Sequence, residues 1–113
     1  MMINYNNRKF RPVSNTANGE TSADTVFLYE QSGDTLTSSY AGGDIVQGHL
    51  MGKVDGDGNI TMCYHQINRK GELNSGICHS RPEIMENGKI RLFEAWRWFT
   101  GDKGTGESVL EEI

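Results

Sequence analysis

The 113 residues carry 11 basic and 15 acidic side chains, for a net charge of −4, with only 35% strictly apolar residues. That apolar share approaches the globular norm once the 14 glycines are counted, so a wholly disordered chain is excluded, and two prolines exclude a proline-rich linker. The acidic balance disfavours nucleic acid as a partner, and no apolar run reaches the roughly 18 residues of a membrane span. One domain over residues 1–113 is the expectation, since so short a chain supports a single modest core. No basic-then-apolar leader opens the sequence, so a cytoplasmic location is expected.

Taken in chain order, eight segments rich in Val, Ile, Thr, Tyr, Phe and Trp read as strands: 3–12, 25–32, 35–41, 44–54, 59–67, 73–81, 89–99 and 105–112. Most alternate with period two, and few show helical recurrence. Turn pairs separate them at Gly33-Asp34, Gly42-Gly43, Asp55 to Gly58, Lys70-Gly71, Asn87-Gly88 and Gly101 to Gly104. The stretch 14–24 is the one long loop, and no helix of consequence is expected. Regular short strands joined by tight turns predict an all-β fold. An open sheet would leave an apolar face wet and two edges bare, so a single antiparallel up-and-down meander barrel of about eight strands is expected.

Reading every turn as an even-length loop assigns one face to the interior. That face carries Tyr29, Gln31, Leu36, Tyr40, Gln47, His49, Met51, Met62, Tyr64, Gln66, Ile77, His79, Arg81, Glu94, Trp96 and Trp98. Arg81 and Glu94 then oppose each other across neighbouring strands, which would spare either charge a solitary burial. A polar cluster that merely fixes register explains this as well as a ligand site does. In the ligand reading, Tyr29, Tyr40, Tyr64, Trp96 and Trp98 supply aromatic walls. Gln47, His49, Gln66, His79, Arg81 and Glu94 supply the polar groups that orient a small molecule.

Several motifs fail. Gly101 to Ser108 has the glycine spacing of a phosphate loop, but Glu107 stands where lysine is required. Asp55, Asp57 and Asn59 match the start of a calcium loop, yet Ile60 replaces its glycine, so a hairpin turn is expected. Cys63 and Cys78 are placed opposite each other on the outer face, next to His65. A strained disulfide, a metal site short of ligands and two packed thiols all remain open, with packed thiols favoured. No metal site and no cofactor are expected.

Residues 40–113 resemble a family of small bacterial proteins. The resemblance rests on Asn59 to Asn68, Gly76 to Glu83, Asn87 to Trp98 and Gly106 to Glu112. Members often carry an N-acetylglutamate synthase label, while the barrel is similar to the avidin and calycin group. That similarity implies a meander barrel with a ligand at one mouth, without implying biotin. The synthase label implies acetyl-CoA chemistry, for which the sequence offers no glycine-rich turn ahead of a helix. Three functions are thus carried forward. The first is a small-molecule-binding barrel whose ligand is unknown. The second is a small lyase, isomerase or transferase using Glu94 or His79 as general base. The third is a homo-oligomerising domain that associates through outward Leu28, Leu50 and Phe93.

Overall fold

The computed structural model describes residues 3–101 and 104–113; Asp102 and Lys103, the centre of the expected last turn and of the phosphate-loop-like run, lie outside them. Eight strands form one closed barrel in sequential order: β1 (Arg8–Asn15), β2 (Val26–Ser32), β3 (Thr35–Gly42), β4 (Ile45–Val54), β5 (Ile60–Asn68), β6 (Leu73–Ile84), β7 (Ile90–Trp98) and β8 (Thr105–Glu112). All neighbours run antiparallel, and β1 closes the ring against β8. The fold is all-β, with no helix among the described residues.

The expected strand boundaries hold to within a residue except for β6, which runs on to Ile84, and β1, which is displaced towards Asn15. β1 begins at Arg8 rather than residue 3, because Asn7 adopts a left-handed φ of 64° and the chain turns there. The preceding segment instead sends Tyr5 into one end of the barrel, where its ring meets Phe10 and Tyr29. Tyr5 donates its hydroxyl proton to the Gly58 carbonyl, and its backbone N–H to Gln31 Oε1 at 2.9 Å. Tyr5, Phe10, Tyr29, Leu36, Ile60, Ile90, Leu92 and Leu110 are essentially inaccessible, so this end is solid core.

Three turns share one construction, and it resets the register. In Asp55–Asn59, Asn68–Glu72 and Met85–Lys89, the fourth residue is a glycine at φ +84°, +79° and +83°. Its N–H bonds back to the first residue's carbonyl, and the first residue's N–H bonds to the fifth carbonyl. This is a type I turn completed by a left-handed glycine bulge, which adds one residue to an even loop. The β3–β4 connection reaches a similar result through a bulge between Tyr40 and Gly42.

One added residue inverts a strand's faces. Two successive additions restore them, so β5 and β7 keep the expected inward set while β4 and β6 are reversed. On β4 the interior receives Gly48, Leu50, Gly52 and Val54, and on β6 it receives Asn74, Gly76, Cys78 and Ser80. Gln47, His49, His79 and Arg81 therefore point outward, contrary to the sequence expectation. Met51 and Ile77 go with them, and Leu50, expected outside, is 3% exposed in the core. Cys63 opposes Ile77 rather than Cys78. The two thiols are free on opposite faces, Cys63 exposed and Cys78 buried, which removes both the disulfide and the shared metal site.

In-strand glycines shape the interior. Gly48, Gly76 and Gly106 each lie directly across from an aromatic ring: Tyr40, Tyr64 and Trp96 respectively. A Cβ at any of the three would collide with that ring. The rings therefore fold flat over neighbouring backbone and line the wall, where a β-branched neighbour would have pushed them to the axis.

Candidate functional site

Away from the Tyr5 end, the barrel interior becomes polar and holds a half-open cavity of about 50 Å³. Its walls are Phe27, Tyr40, Tyr64, Trp96 and Trp98, with Leu50 and Met62 at the floor and Asn15, Glu20, Gln66, Cys78, Glu94 and Ser108 as polar groups. Phe27 stacks on Tyr40 at 4.4 Å between centroids, and Trp98 meets Tyr64 and Trp96 edge-on at 5.4 and 5.7 Å. These contacts hold the rings as a rigid wall rather than as mobile filling.

Six of the expected ligand residues line this cavity: Tyr40, Tyr64, Gln66, Glu94, Trp96 and Trp98. Tyr29 also points inward but lies in the packed core next to Phe10. The other four are outside the barrel. Gln47 and His49 stand on the outer face of β4, where His49 pairs with His65 at 5.6 Å between rings. His79 faces Thr61, its Nδ1 3.3 Å from the threonine hydroxyl, and the Arg81 guanidinium lies 4.7 Å over the Phe93 ring. His79 and Arg81 border an open outer depression of about 590 Å³, whose rim also includes Phe93, Glu107 and Val109. The interior cavity is the better candidate because aromatic walls and convergent polar groups meet there.

Glu94 has no arginine partner; its cross-strand neighbours are Ser80 and Ser108. The Ser108 hydroxyl donates to Oε1 at 3.0 Å and the Ser80 hydroxyl to Oε2 at 3.2 Å, and the Cys78 thiol also donates to this carboxylate. The Trp96 indole N–H donates to Ser108 Oγ at 3.3 Å, completing a relay from ring to carboxylate. Burial pushes the Glu94 carboxyl up to about 7, against the hydrogen bonds, which pull it down. Burial likewise pushes the Cys78 thiol and the Tyr40 and Tyr64 phenols up, so all three stay protonated at neutral pH.

Towards the mouth the β1–β2 loop, residues 16–25, folds over the opening. Asn15 Nδ2 donates to the Thr21 carbonyl at 2.9 Å, Trp98 Nε1 to the Asn18 carbonyl at 3.2 Å, and Thr25 Oγ1 to the Gly42 carbonyl at 3.1 Å. Glu20 is thereby carried into the barrel, where Gln66, Asn68 and Asn74 donate to its carboxylate. Sequence reasoning missed Glu20, Asn68, Asn74, Cys78, Ser80 and Ser108. The β6 members were lost with the register, and Glu20 sits in a segment without periodicity. A signal for the register was present: the even-loop reading also turns Lys53 inward, at a level whose one carboxylate, Glu94, is already matched to Arg81, and an unmatched buried ammonium argues for the opposite phase.

Two buried polar atoms on the cavity wall, Asn15 Oδ1 and the Tyr64 hydroxyl, have no hydrogen-bond partner. No group of three or more His, Cys, Asp or Glu side chains among the described residues is arranged to hold a metal. Compared with known proteins, residues 3–113 match the family model described as avidin-like protein. Neither the curated proteins nor the solved structures include a match.

Proposed function

We propose that this barrel binds a small molecule through its polar end, proceeding from the fact that the chain belongs to the avidin-like family. The observation that carries the reading is the pair of unpartnered polar atoms on the cavity wall, Asn15 Oδ1 and the Tyr64 hydroxyl. A buried acceptor or hydroxyl without a partner costs about 1–3 kcal/mol, and a guest with complementary polar groups recovers it. The aromatic wall suits a guest that is flat or has a flat apolar face. The half-open cavity of about 50 Å³ has room for only a few water molecules, so a larger guest requires the loop of residues 16–25 to move aside.

Native mass spectrometry of the protein purified from its own host tests this directly. A retained molecule that is lost in a Trp98→Ala variant is the expected result. An empty barrel, together with Trp96 and Trp98 fluorescence indifferent to a library of small aromatic compounds, would overturn it.

A second reading makes the site catalytic, favoured by the Glu94 carboxyl, which lines the cavity and is raised by burial to about 7. His79, outside the barrel, takes no part in it. Glu94→Gln would then abolish turnover of the retained molecule while leaving its binding intact; loss of binding alone argues for the first reading. Acyl transfer from a coenzyme thioester has no support in the described residues, which offer no helix N-terminus for a pyrophosphate.

A further inference from the structure

Gln66, Asn68 and Asn74 are 2%, 5% and 7% exposed, and all three send N–H donors to one carboxylate. Gln66 Nε2 reaches Glu20 Oε1 at 2.9 Å and Asn68 Nδ2 reaches Oε2 at 2.6 Å, while Asn74 Nδ2 lies 3.2 and 3.3 Å from the two oxygens. Each carboxylate oxygen thus receives two donors, close to its full capacity.

The Asn68 amide is oriented independently of Glu20, and the other two are oriented by hydroxyl groups. The Gln66 carbonyl accepts from the Tyr40 hydroxyl at 2.7 Å. The Asn68 carbonyl accepts the backbone N–H groups of Lys70 and Glu72, both at 3.0 Å. The Asn74 carbonyl accepts from the Thr100 hydroxyl at 2.9 Å. The backbone donors keep the Asn68 NH₂ facing the mouth whether or not Glu20 is present, while the Tyr40 and Thr100 hydroxyls, able to donate or accept, let Gln66 and Asn74 present their NH₂ groups to any carboxylate that arrives. The barrel wall is a carboxylate receptor anchored by Asn68, and its occupant comes from a loop rather than from the barrel itself.

We infer that Gln66, Asn68 and Asn74 form a subsite for the carboxylate of a small aromatic or flat organic acid, and that Glu20 is an internal occupant displaced when that acid binds. This rests on the small-molecule reading above and names the ligand class for the same site. Charge decides the class. Glu94 already stands deeper in the cavity, and Asn68 Nδ2 also donates to Glu72 Oε1 at 2.8 Å. A second anion added beside Glu20 would be repelled, whereas an exchange of one carboxylate for another leaves the buried charge unchanged. A neutral guest would leave the four N–H contacts poorly answered. The acid's body then lies against Tyr40, Tyr64 and Trp98, in the space vacated by the loop. Because Glu20 competes from within the chain, the free protein holds the acid less tightly than the bare receptor would.

The test compares 3-phenylpropionate with its neutral counterpart 3-phenylpropanamide, read by tryptophan fluorescence and by the side-chain amide NMR signals of Gln66, Asn68 and Asn74. In the unaltered protein, only the acid should shift those amide signals. Glu20→Ala should bind the acid about tenfold more tightly than the unaltered protein, and about tenfold more tightly than it binds the amide. Adding Asn74→Leu should erase that acid preference. Should Glu20→Ala fail to fold, as judged by circular dichroism, Glu20→Gln serves, with a smaller gain in the same direction. Equal binding of acid and amide to the Glu20 variant overturns the carboxylate assignment and leaves the binding reading standing. Unmoved amide signals with acid in excess overturn the assignment as well, while a retained neutral molecule in native mass spectrometry would still support binding.

Discussion

Glu94 is a carboxylate set against its own environment, and its titration has a definite sign. Burial raises it from the usual 4.5 to about 7, only partly offset by hydrogen bonds from Ser108, Ser80 and Cys78. The folded state therefore holds a proton that the unfolded chain has released between those two values. Stability contributed by this group is complete below pH 4.5, falls as pH rises, and is lost above about 7. Glu94→Gln removes the charge while keeping the shape. It should flatten that part of the stability profile and stabilise the protein at pH 8 by about 2 kcal/mol in urea unfolding. A profile unchanged by the substitution would mean that Glu94 ionises without penalty. The cysteines give a second residue-level test. With Cys63 exposed and Cys78 buried on the opposite face, the folded protein should react with one equivalent of an aromatic disulfide reagent and the unfolded protein with two.

At the scale of strands and turns, glycines act in two ways that substitution separates. Gly88 ends a turn at φ +83° with open space around it, so Gly88→Ala pays only for the backbone, about 1 kcal/mol. Gly76 sits against the Arg97 carbonyl and the Tyr64 ring, and a backbone carbonyl in a strand ladder cannot yield. Gly76→Ala should cost about 2–3 kcal/mol and also displace Tyr64 from the cavity wall, visible as a change in the fluorescence of adjacent Trp98. Equal costs at the two positions would show that the ring moves freely.

The same turns decide what was legible in the sequence. Alternation and glycine spacing place β2 to β8, because both signals are local, and misplace only β1, which no glycine turn precedes. Register depends on whether a loop is even or odd, and that is set by one left-handed glycine at the fourth position of Asn68–Glu72 and its equivalents. Reading Gly71 as half of a two-residue turn, rather than as the closing bulge of a five-residue one, turned His79 and Arg81 inward. Tyr64, Glu94 and Trp98 survived because they lie an even number of such turns from Leu36. Glu20 was illegible for a different reason: nothing local to residues 16–25 records that three amides, 46 to 54 positions away, will converge on it.

For the whole molecule, the barrel is closed by its least regular strand. Between β3 and β8 every interface is a ladder running most of the strand length. β1 pairs with β2 only through Arg8, Lys9 and Phe10, and its pairing with β8 breaks at a bulge between Pro12 and Ser14. One end of β1 is held by the Tyr5 plug and by Arg8, whose guanidinium lies 3.0 Å from Glu112 Oε1. The other end, from Ser14 onward, runs directly into the loop that carries Glu20. Opening of the barrel should therefore begin at Ser14 to Thr16 and leave the plugged end closed. Native-state hydrogen exchange measures this directly. The amides of Thr16 and Gly19, bonded only to Glu107 and Thr16 carbonyls, should exchange well before those of β4 to β7. Tyr5→Ala removes a fully buried ring and should cost about 3–5 kcal/mol. It should also let Arg8 to Phe10 exchange as early as Thr16, while exchange in β5 and β6, which carry Gln66 and Asn74, continues to follow global unfolding. If Thr16 and Gly19 exchange only with global unfolding, the mouth does not open independently, and a guest has no route to the amide receptor through this loop.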